Sequence, residues 1–311
     1  MKLNNWLDIW LNKYTKHVIK LKTFTRYSDI INKHINPVLA DAELNQLTGE
    51  ILQNFVLFKL NHGNLNTNGK LANNTVLSIV SVLKQALRSA VILGMTDKEY
   101  TAVIKLPPTT EKTVEAFERN EQKRLESFCI ISKPNYIGII ICLYTGIRLG
   151  ELLALTWEDI DFKKSVLSVN KTAYTIKRNG KNFAHIDIPK TKSSIRFIPL
   201  NKSLAVILNN RKKLARSKYI ITTKSGGIVQ NRSYQKSFKY ILKKCNIQYK
   251  NFHALRHTFA TRALELGMDV KTLSEILGHK SPVITLNRYS HSMTGYKIEM
   301  MNKVGRLLEV K

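Results

Sequence analysis

Apolar residues in the first third of the chain recur at the spacing of amphipathic helices. Two such stretches lie near the N-terminus, at Trp6–Tyr14 and at Tyr27–Ile35. The second is expected to end near Pro37, because a proline lacks the backbone N–H that a helix interior needs. Both stretches predict helices with one buried face.

The clearest amphipathic pattern is at Val76–Leu87, where apolar residues occupy positions i, i+3, i+4 and i+7. Asn74 or Thr75 is the candidate N-cap and Gly94 is the candidate stop. Because the other two stretches are helical as well, residues 1–108 are predicted to form a helical domain.

The second part of the chain alternates between helical and strand patterns. A helical region at Tyr136–Leu155 precedes short runs that are rich in β-forming residues and separated by turn signals. These runs are Ser165–Asn170, Thr172–Ile176, His185–Ile188 and Ile195–Leu200. Helical patterns then return at Phe252–Leu266, Val270–Leu277 and Lys280–Tyr289. The predicted fold class is mainly α with a small antiparallel β-sheet (α+β).

Pro107 and Pro108 interrupt any helix between the two parts, and polar residues follow them. We therefore expect a linker at 109–114, a helical domain at 1–108 and a second domain at 115–311 with a tail from residue 290. The 311 residues are long enough for two domains at roughly 100–200 residues each, and 43% of them are apolar. A chain of this composition can bury a core, which excludes disorder as its main state.

The net charge of the chain indicates which kind of partner it binds. The chain has 50 Lys+Arg against 22 Asp+Glu, a net charge of +28, and such a field attracts polyanions. Most of it lies after residue 108; Phe162–Lys218 contains fifteen basic residues and a single acid, Asp187. Because this charge runs through segments that look folded, nucleic acid is favoured over an acidic membrane. Lys84 and Arg88, one turn apart on the third helix, form either a solvated face or a grip on phosphates.

Membrane, secreted, disulfide-bonded and metal-binding proteins are disfavoured because the sequence lacks their characteristic features. The apolar run Tyr136–Ile147 is shorter than the roughly 20 residues that cross a bilayer, and no signal peptide pattern opens the chain, so we expect a cytoplasmic protein. Cys129, Cys142 and Cys245 are widely spaced and odd in number, which indicates reduced core thiols rather than disulfides or a metal site.

Two segments carry arginines suited to phosphodiester chemistry, because a guanidinium binds two oxygens at once and stays charged. In Thr145–Leu152, Arg148 lies in an otherwise apolar helix-forming stretch, where an ion pair with Glu151 is the plain explanation. In the second segment, His253, Arg256 and His257 form a cluster of donors for an oxyanion. Beyond it, His279 follows the probable glycine C-cap Gly278.

Together these segments resemble the tyrosine recombinase (phage integrase) family. The resemblance rests on the order and spacing of four motifs and covers nearly the whole chain. The motifs are Thr145-Gly-Ile-Arg148-Leu-Gly-Glu151, His253-Ala-Leu-Arg256-His257, Leu277-Gly-His279 and Arg288-Tyr289-Ser-His291. It singles out Tyr289 among the twelve tyrosines of the chain.

The resemblance implies a mechanism without ATP, metal or other cofactor. Tyr289 would attack a scissile phosphate to give a 3′-phosphotyrosyl enzyme and a free 5′-hydroxyl. Arg148 and Arg256 would clamp the phosphate, and Glu151 would orient Arg148. The other implied catalytic residues are His253 and His279, which would add hydrogen bonds or transfer protons, and a lysine that would protonate the leaving oxygen. Lys190 fits that position best and Lys192 is the alternative; Lys84, Arg88 and Lys192 are further candidates for DNA contact.

The implied partners are double-stranded attachment sites, three further copies in a synaptic homo-tetramer, and an accessory DNA-bending or excision factor. Residues 1–108 resemble the SAM-like core-binding domain. Many relatives carry a further N-terminal arm-binding domain, and this chain is expected to be a simpler two-domain recombinase of a mobile element, acting at the nucleoid of a bacterial or phage-infected cell. Ile298, Met301, Val304 and Leu308 form an apolar stripe in the tail. The stripe packs either on its own domain or, as the resemblance implies, on a neighbouring protomer, and we favour the second. A type IB-like topoisomerase and a non-cleaving DNA-binding regulator are the alternatives.

Overall fold

The computed structural model describes residues 1–97, 104–108, 115–178, 181–187, 195–289 and 294–308. The chain folds into two compact units, Met1–Lys112 and Thr113–Lys311. The expected linker residues 109–114 lie outside the described residues.

The first unit is helical, as its periodicity predicts. Its helices are α1 (Leu3–Ile9), α2 (Leu21–Ile30), α3 (Asn36–Leu39), α4 (Gly49–His62) and α5 (Asn73–Ile92), with π-helical turns at Trp10–Thr15 and Ile31–Ile35. The apolar face of α1 and of the π-helical turn that follows it packs against α5. There the indole of Trp6 donates to the carbonyl of Ala86 over 2.9 Å, and that of Trp10 donates to the hydroxyl of Ser89 over 3.0 Å. Buried polar atoms of the two tryptophans are thereby satisfied.

Two helix boundaries differ from their sequence predictions. The second helical stretch does not end near Pro37 but continues to Leu39, because Pro37 lies in the first turn of α3, where its missing N–H leaves no bond unmade. The N-cap of α5 is Ala72 rather than Asn74 or Thr75, which both lie inside the helix. At the other end of α5, Gly94 follows the helix with a φ of 65°, as predicted for a stop.

Among the described residues, α5 is the one helix whose length and apolar composition would suffice to cross a bilayer. Eight of its residues are buried against the other helices of the first unit. Because that face is covered by protein, α5 is the core helix of this unit.

The second unit contains nine helices and five strands among its described residues. The helices are α6 (Arg119–Ile131), α7 (Ile137–Thr145), α8 (Leu149–Ala154), α9 (Lys202–Lys213), α10 (Asn231–Lys244), α11 (Ala254–Glu265), α12 (Val270–Leu277), α13 (Pro282–Tyr289) and α14 (Thr294–Leu308). The strands are β1 (Ile160–Asp161), β2 (Val166–Val169), β3 (Thr172–Arg178), β4 (Lys181–Asp187) and β5 (Arg196–Pro199). The predicted fold class, mainly helical with small antiparallel sheets, is confirmed.

The strands form two antiparallel sheets rather than the single small sheet that the sequence predicts. One has the order β1-β2-β5, and the other is the pair β3-β4. In the first sheet Val169 lies opposite Arg196, and alternate residues of β5 are buried, so that Arg196 and Ile198 face inward. The register thus directs the first side chain of β5 into the protein.

Helix α7 is buried on all sides in the main core of the second unit, and α11 packs against it. Gly146 ends α7 with a φ of 65°, and a Cβ atom there would lie 2.5 Å from the ring of Phe259 on α11. Only glycine fits this turn without strain. The turn brings the start of α8 next to α11.

The three cysteines are free and buried, as expected for reduced core thiols. Burial raises the pKa of Cys129 to about 12 and also raises the pKa of the Cys142 and Cys245 thiols. These thiols are protonated and unreactive at neutral pH.

Candidate active site

Three arginines converge on the C-terminal end of α12. Each donates to a different one of three successive backbone carbonyls. The bonds run from Arg196 Nε to Ile276 O (2.6 Å), from Arg256 Nη2 to Leu277 O (2.8 Å) and from Arg148 Nη2 to Gly278 O (3.1 Å). The last carbonyls of a helix have no partner within the helix and carry its negative dipole end, so cations are stabilised there.

The sequence around Gly278 explains why this helix end is open to side chains. Gly278 ends α12 in the left-handed conformation, with a φ of 66°. A Cβ atom at this position would lie 2.9 Å from Nη1 of Arg196. The missing side chain therefore lets the guanidinium lie against the turn that leads to His279.

Arg148 occupies the N-cap position of α8 and not the interior of a helix, because Gly146 has already ended α7. The Glu151 carboxylate accepts from the Arg148 backbone N–H over 2.8 Å and from Arg148 Nη1 over 2.9 Å. The ion pair expected between these residues is present, and it fixes a side chain that is still 38% exposed. That exposure leaves part of the guanidinium open to a ligand.

Arg196 is the residue that sequence reasoning missed. Its Nη2 and Nη1 atoms donate to the two oxygens of Glu151, over 2.8 and 3.2 Å, and the side chain is 6% exposed. Strand alternation could have predicted its burial. Arg196 lies two residues before the apolar Ile198 in β5, and alternate side chains of a strand face the same side. A buried guanidinium requires an anion, and Glu151 supplies it.

Arg256 is almost completely buried, with 2% of its surface exposed. It donates to the carbonyl of Gly146 over 2.9 Å, and its Nη2 lies 2.8 Å from Nε2 of His279. Burial, and next the charge of Arg148, lower the pKa of Arg256 to about 9. The guanidinium remains charged at neutral pH.

The contacts of His279 determine its tautomer. Arginine has only donors, so Nε2 of His279 must accept from Arg256, and Nδ1 carries the proton that is donated to the Thr285 hydroxyl over 2.7 Å. Burial and the charge of Arg256 lower the pKa of His279 to about 4, so the ring is neutral at pH 7.

His253 and His257 lie at the start of α11, with ring centroids 4.8 Å apart and the rings nearly perpendicular. Burial is the main cause that lowers their pKa values, to about 4 for His253 and about 3 for His257. Both are therefore neutral at pH 7. The Nε2 atom of His257 is buried without a hydrogen-bond partner among the described residues.

Tyr289 and Thr285 lie one turn apart on the inner face of α13. The ring of Tyr289 packs against His257 with centroids 5.3 Å apart, and the side chain is 3% exposed. Its hydroxyl has no hydrogen-bond partner among the described residues. Burial raises its pKa, against the opposing charges of Arg256, Arg288 and Arg148, so the phenol is protonated at neutral pH.

The structure thus brings Arg148, Arg256, His253, His279 and Tyr289 into one region of the second unit. Other predicted site residues stand apart from it. Lys190 and Lys192 lie outside the described residues. Lys84 and Arg88 belong to the first unit, on α5, where Lys84 is half-buried and Arg88 is exposed.

The region is suited to bind a dianionic or monoanionic oxyanion next to a phenol. Three guanidinium groups supply fixed positive charge, and the neutral histidines can donate or accept without an ionisation penalty. Within the described ranges, no three His, Cys, Asp or Glu side chains come together as a metal-binding group.

The chain is similar to known proteins along most of its length. The sequence profile described as "Phage integrase family" matches residues 112–295, and "Phage integrase, N-terminal SAM-like domain" matches residues 2–60. A tyrosine recombinase XerC-like protein of Caldanaerobacter subterraneus is 29% identical, over 96% of this chain and 82% of the relative. The ICEBs1 integrase of Bacillus subtilis is 26% identical, over 90% of this chain and 76% of its own length.

Two solved structures share the fold. The Tn1549 transposon integrase in complex with a circular intermediate DNA superposes with a TM-score of 0.77 at 24% identity, over 97% of this chain and 99% of that one. A lambda integrase tetramer bound to a Holliday junction gives a TM-score of 0.67 at 22% identity, over 91% of this chain and 78% of that one.

Proposed function

Because the chain belongs to the phage integrase family and is a tyrosine recombinase, a site-specific integrase that cleaves and rejoins DNA, we propose that Tyr289 is its nucleophile. The observation that carries this proposal is the region around the end of α12. There Arg256 binds His279, His279 binds Thr285, and Thr285 shares the inner face of α13 with Tyr289.

In the proposed reaction the phenolic oxygen of Tyr289 attacks the scissile phosphorus. A bond between phosphorus and the phenolic oxygen forms, and the bond to the 5′ oxygen breaks. The phenolic proton passes to His253, which is neutral at pH 7 and free to accept it. The leaving 5′ oxygen takes a proton from Lys190, or from Lys192 in the alternative. The 5′-hydroxyl of a partner strand then attacks the 3′-phosphotyrosine and rejoins the DNA, with no ATP required.

The arginines would hold the phosphate during both steps. Arg148 is partly exposed and oriented by Glu151, while Arg256 is fixed by two backbone carbonyls. Guanidinium donors that are already in place stabilise the charge of the transition state without reorganisation. His279 would donate a hydrogen bond to the phosphate from Nε2 in its other tautomer, in which Nε2 carries the proton and Nδ1 accepts from the Thr285 hydroxyl.

Basic surfaces in both units support binding of double-stranded DNA. Helix α10 buries Tyr234, Phe238 and Ile241 and exposes only polar and basic residues and a tyrosine on its outer face. The exposed cations of that face are Arg232, Lys236, Lys239, Lys243 and Lys244. In the first unit, Lys84 and Arg88 are the candidate contacts. Lys192, in the second part of the chain, is a third candidate. Such cations neutralise backbone phosphates and position the enzyme, while base contacts specify the site.

We further propose that four copies assemble on two DNA sites. Solved relatives are a dimer on a core site and a tetramer on a Holliday junction. In this chain, α14 exposes Ile298, Met301 and Val304 along one stripe, with 44–67% of each surface accessible. An apolar stripe of this kind is suited to dock on a neighbouring protomer. We also propose that an accessory DNA-bending or excision factor takes part in the reaction. The protein would act at the nucleoid of a bacterial or phage-infected cell.

The test is covalent trapping. The protein is mixed with DNA from the junctions of its own element and quenched with denaturant. A 3′-linked adduct is expected in the wild type and in Tyr249→Phe, a matched loss of an exposed tyrosine hydroxyl, and not in Tyr289→Phe. An adduct that persists in Tyr289→Phe would refute this nucleophile.

Two further results would identify the alternative functions, a DNA-binding regulator and a topoisomerase. Tight binding without any adduct would identify a DNA-binding regulator. Relaxation of supercoiled DNA that lacks the junction sequence, at a rate equal to that on junction DNA, would identify a topoisomerase.

A further inference from the structure

Arg196 is the one arginine of the converging three whose two Nη atoms both donate to a carboxylate. Its guanidinium is anchored in two directions at once, to the Glu151 carboxylate through both Nη atoms and to the Ile276 carbonyl through Nε. It therefore joins β5, α8 and the end of α12, three segments that are distant in sequence.

We propose that Arg196 is a positioning residue for DNA strand cleavage, which sets the geometry in which Arg148 and Arg256 meet the phosphate. This inference rests on the proposed function of the site. Arg196 acts on Arg148 through Glu151, which holds both the backbone and the side chain of Arg148. It acts on Arg256 through the end of α12, because the carbonyl of Leu277, which receives Arg256, directly follows the carbonyl of Ile276.

The planar guanidinium of Arg196 can bind the Glu151 carboxylate and the Ile276 carbonyl at the same time because its donors point in fixed directions. Two parallel donors match a carboxylate, and the Nε–H points away from them toward a third acceptor. A lysine at this position has one nitrogen in place of three, so it cannot reproduce all three of these hydrogen bonds in their fixed planar geometry. Lysine would preserve the charge beside Glu151 and lose the connection to α12.

Close packing transmits the position of Arg196 to the turn above it. A Cβ atom on Gly278 would lie 2.9–3.1 Å from the Nη1, Cδ and Cζ atoms of Arg196, so the guanidinium and the turn are in contact. The carbonyl of Gly278 in turn receives Nη2 of Arg148. A shift of the guanidinium would move both the turn that carries His279 and the carbonyl that holds Arg148.

Charge gives Arg196 a second influence, through the ionisation of Glu151. Burial alone would raise the pKa of this carboxyl, and the hydrogen bonds and charge of Arg196 lead the opposing effects that lower it. The groups that face Glu151 are Arg148 at the start of α8, Arg196 on β5, Arg256 and His253 on or beside α11, and Cys142 on α7. Without Arg196, Glu151 becomes protonated at a higher pH and releases Arg148.

The experiment compares the rates of adduct formation of Arg196→Met, Arg196→Lys and Arg119→Met at saturating junction DNA, from pH 5.5 to 8.5. Arg119 is a 78% exposed arginine on α6 and serves as the matched control. Each rate is divided by the wild-type rate at the same pH, and the affinity for DNA is measured in parallel.

We expect the rate of adduct formation of Arg196→Met at pH 6 to be up to about 100-fold below that of the wild type, because the catalytic groups are displaced. Toward pH 8.5 the rate should recover in part. Arg196→Lys should be slowed by a factor that does not vary with pH, since it keeps Glu151 ionised. Affinity for DNA should change less than threefold in both. In Arg196→Met/Glu151→Gln the pH dependence of the rate ratio should disappear, because no carboxyl is left to titrate.

Three outcomes would overturn the inference. One is an unchanged rate in Arg196→Met. Another is a loss that is equal at every pH and matched by an equal loss of DNA affinity, which a purely structural role would produce. If Arg196→Met does not fold, a full wild-type rate in Arg196→Lys overturns it equally. Failure of the wild type to form an adduct would instead refute the proposed function.

Discussion

Arg256 donates a hydrogen bond to Nε2 of His279 over 2.8 Å, and this contact leaves the histidine proton on Nδ1, where it is donated to Thr285. His279 thus presents its acceptor nitrogen to an arginine on α11 and its donor nitrogen to a threonine on α13. These two side chains fix the tautomer and the orientation of the ring.

Thr285→Val should weaken both the fold and the reaction. The hydroxyl is fully buried and is the acceptor for Nδ1–H of His279, so its removal leaves a buried donor unpaired. We expect a loss of about 1–3 kcal/mol in the free energy of unfolding and slower adduct formation. Thr285→Ser keeps the hydroxyl and should retain most of the rate. Equal rates for the valine and serine variants would show that the orientation of His279 does not depend on this bond.

Tyr289→Phe should not destabilise the protein, although it abolishes the adduct. The Tyr289 hydroxyl is buried without a described partner, so its removal is expected to leave the free energy of unfolding unchanged or to raise it by about 1 kcal/mol. Tyr234→Phe is the control, because that buried hydroxyl donates to Asn135 O over 2.7 Å and its loss should cost about 1 kcal/mol. Urea unfolding measures both. Equal destabilisation would mean that the Tyr289 hydroxyl is hydrogen-bonded in solution.

The stability of the second unit should fall as the pH drops from about 6.5 to about 4. His253, His257 and His279 have pKa values lowered to about 4, 3 and 4 in the folded protein, whereas unfolded histidine titrates near 6.5. Over this range the unfolded chain binds protons that the folded chain does not, so acid favours unfolding.

The dependence can be assigned to a single residue. Each such proton contributes a slope of at most about 1.4 kcal/mol per pH unit. We therefore expect His257→Phe to reduce the slope of the unfolding free energy against pH by up to about 1.4 kcal/mol per pH unit. Urea titrations at pH 4.5, 5.5 and 6.5 measure this slope. A slope that is identical to that of the wild type would show that His257 is charged when folded.

Gly278→Ala should be more damaging than the same change at another left-handed glycine. Gly94 has nearly the same backbone, with φ values of 65° and 66° for the two positions, but among the described residues no neighbouring atom lies within 4 Å of a Cβ there. Gly94→Ala should cost about 1–2 kcal/mol from backbone strain alone and leave adduct formation intact. Gly278→Ala should cost more and slow the adduct, because its Cβ displaces Arg196. Equal effects on rate and stability would contradict the contact.

Deleting residues 295–311 should impair synapsis and recombination more than DNA binding, if the stripe on α14 docks on a second protomer. A milder variant is Ile298→Asp/Met301→Asp, with Asn302→Asp as a control that adds charge on the same helix. Recombination between two sites and the size of the protein–DNA complex are the measurements. Unchanged recombination by the truncated protein would refute docking in trans.

Local patterns in the sequence predicted many of the helices and strands and the identity of the family, but they missed α4, α6, α9 and α10 and the division of the strands into two sheets. The helix Val270–Leu277 and its glycine stop agree residue by residue with the structure, because periodicity and a left-handed cap are properties of a few adjacent residues. The order of the arginine, histidine and tyrosine motifs was likewise readable along the chain. Where neighbouring structure decides, as at Pro37 or at the N-cap of α5, the same local reasoning was wrong.

Tertiary structure alone decided how the site is held together. Nothing local marks Arg196 as the partner of Glu151 and Ile276, since the three residues meet only when β5, α8 and α12 pack. The tautomer of His279 and the burial of Tyr289 likewise depend on groups that are far away along the chain. The sequence determined which chemical groups are present, whereas their hydrogen bonds and their pKa values arise from long-range contacts and from exclusion of water, which appear only in the folded protein.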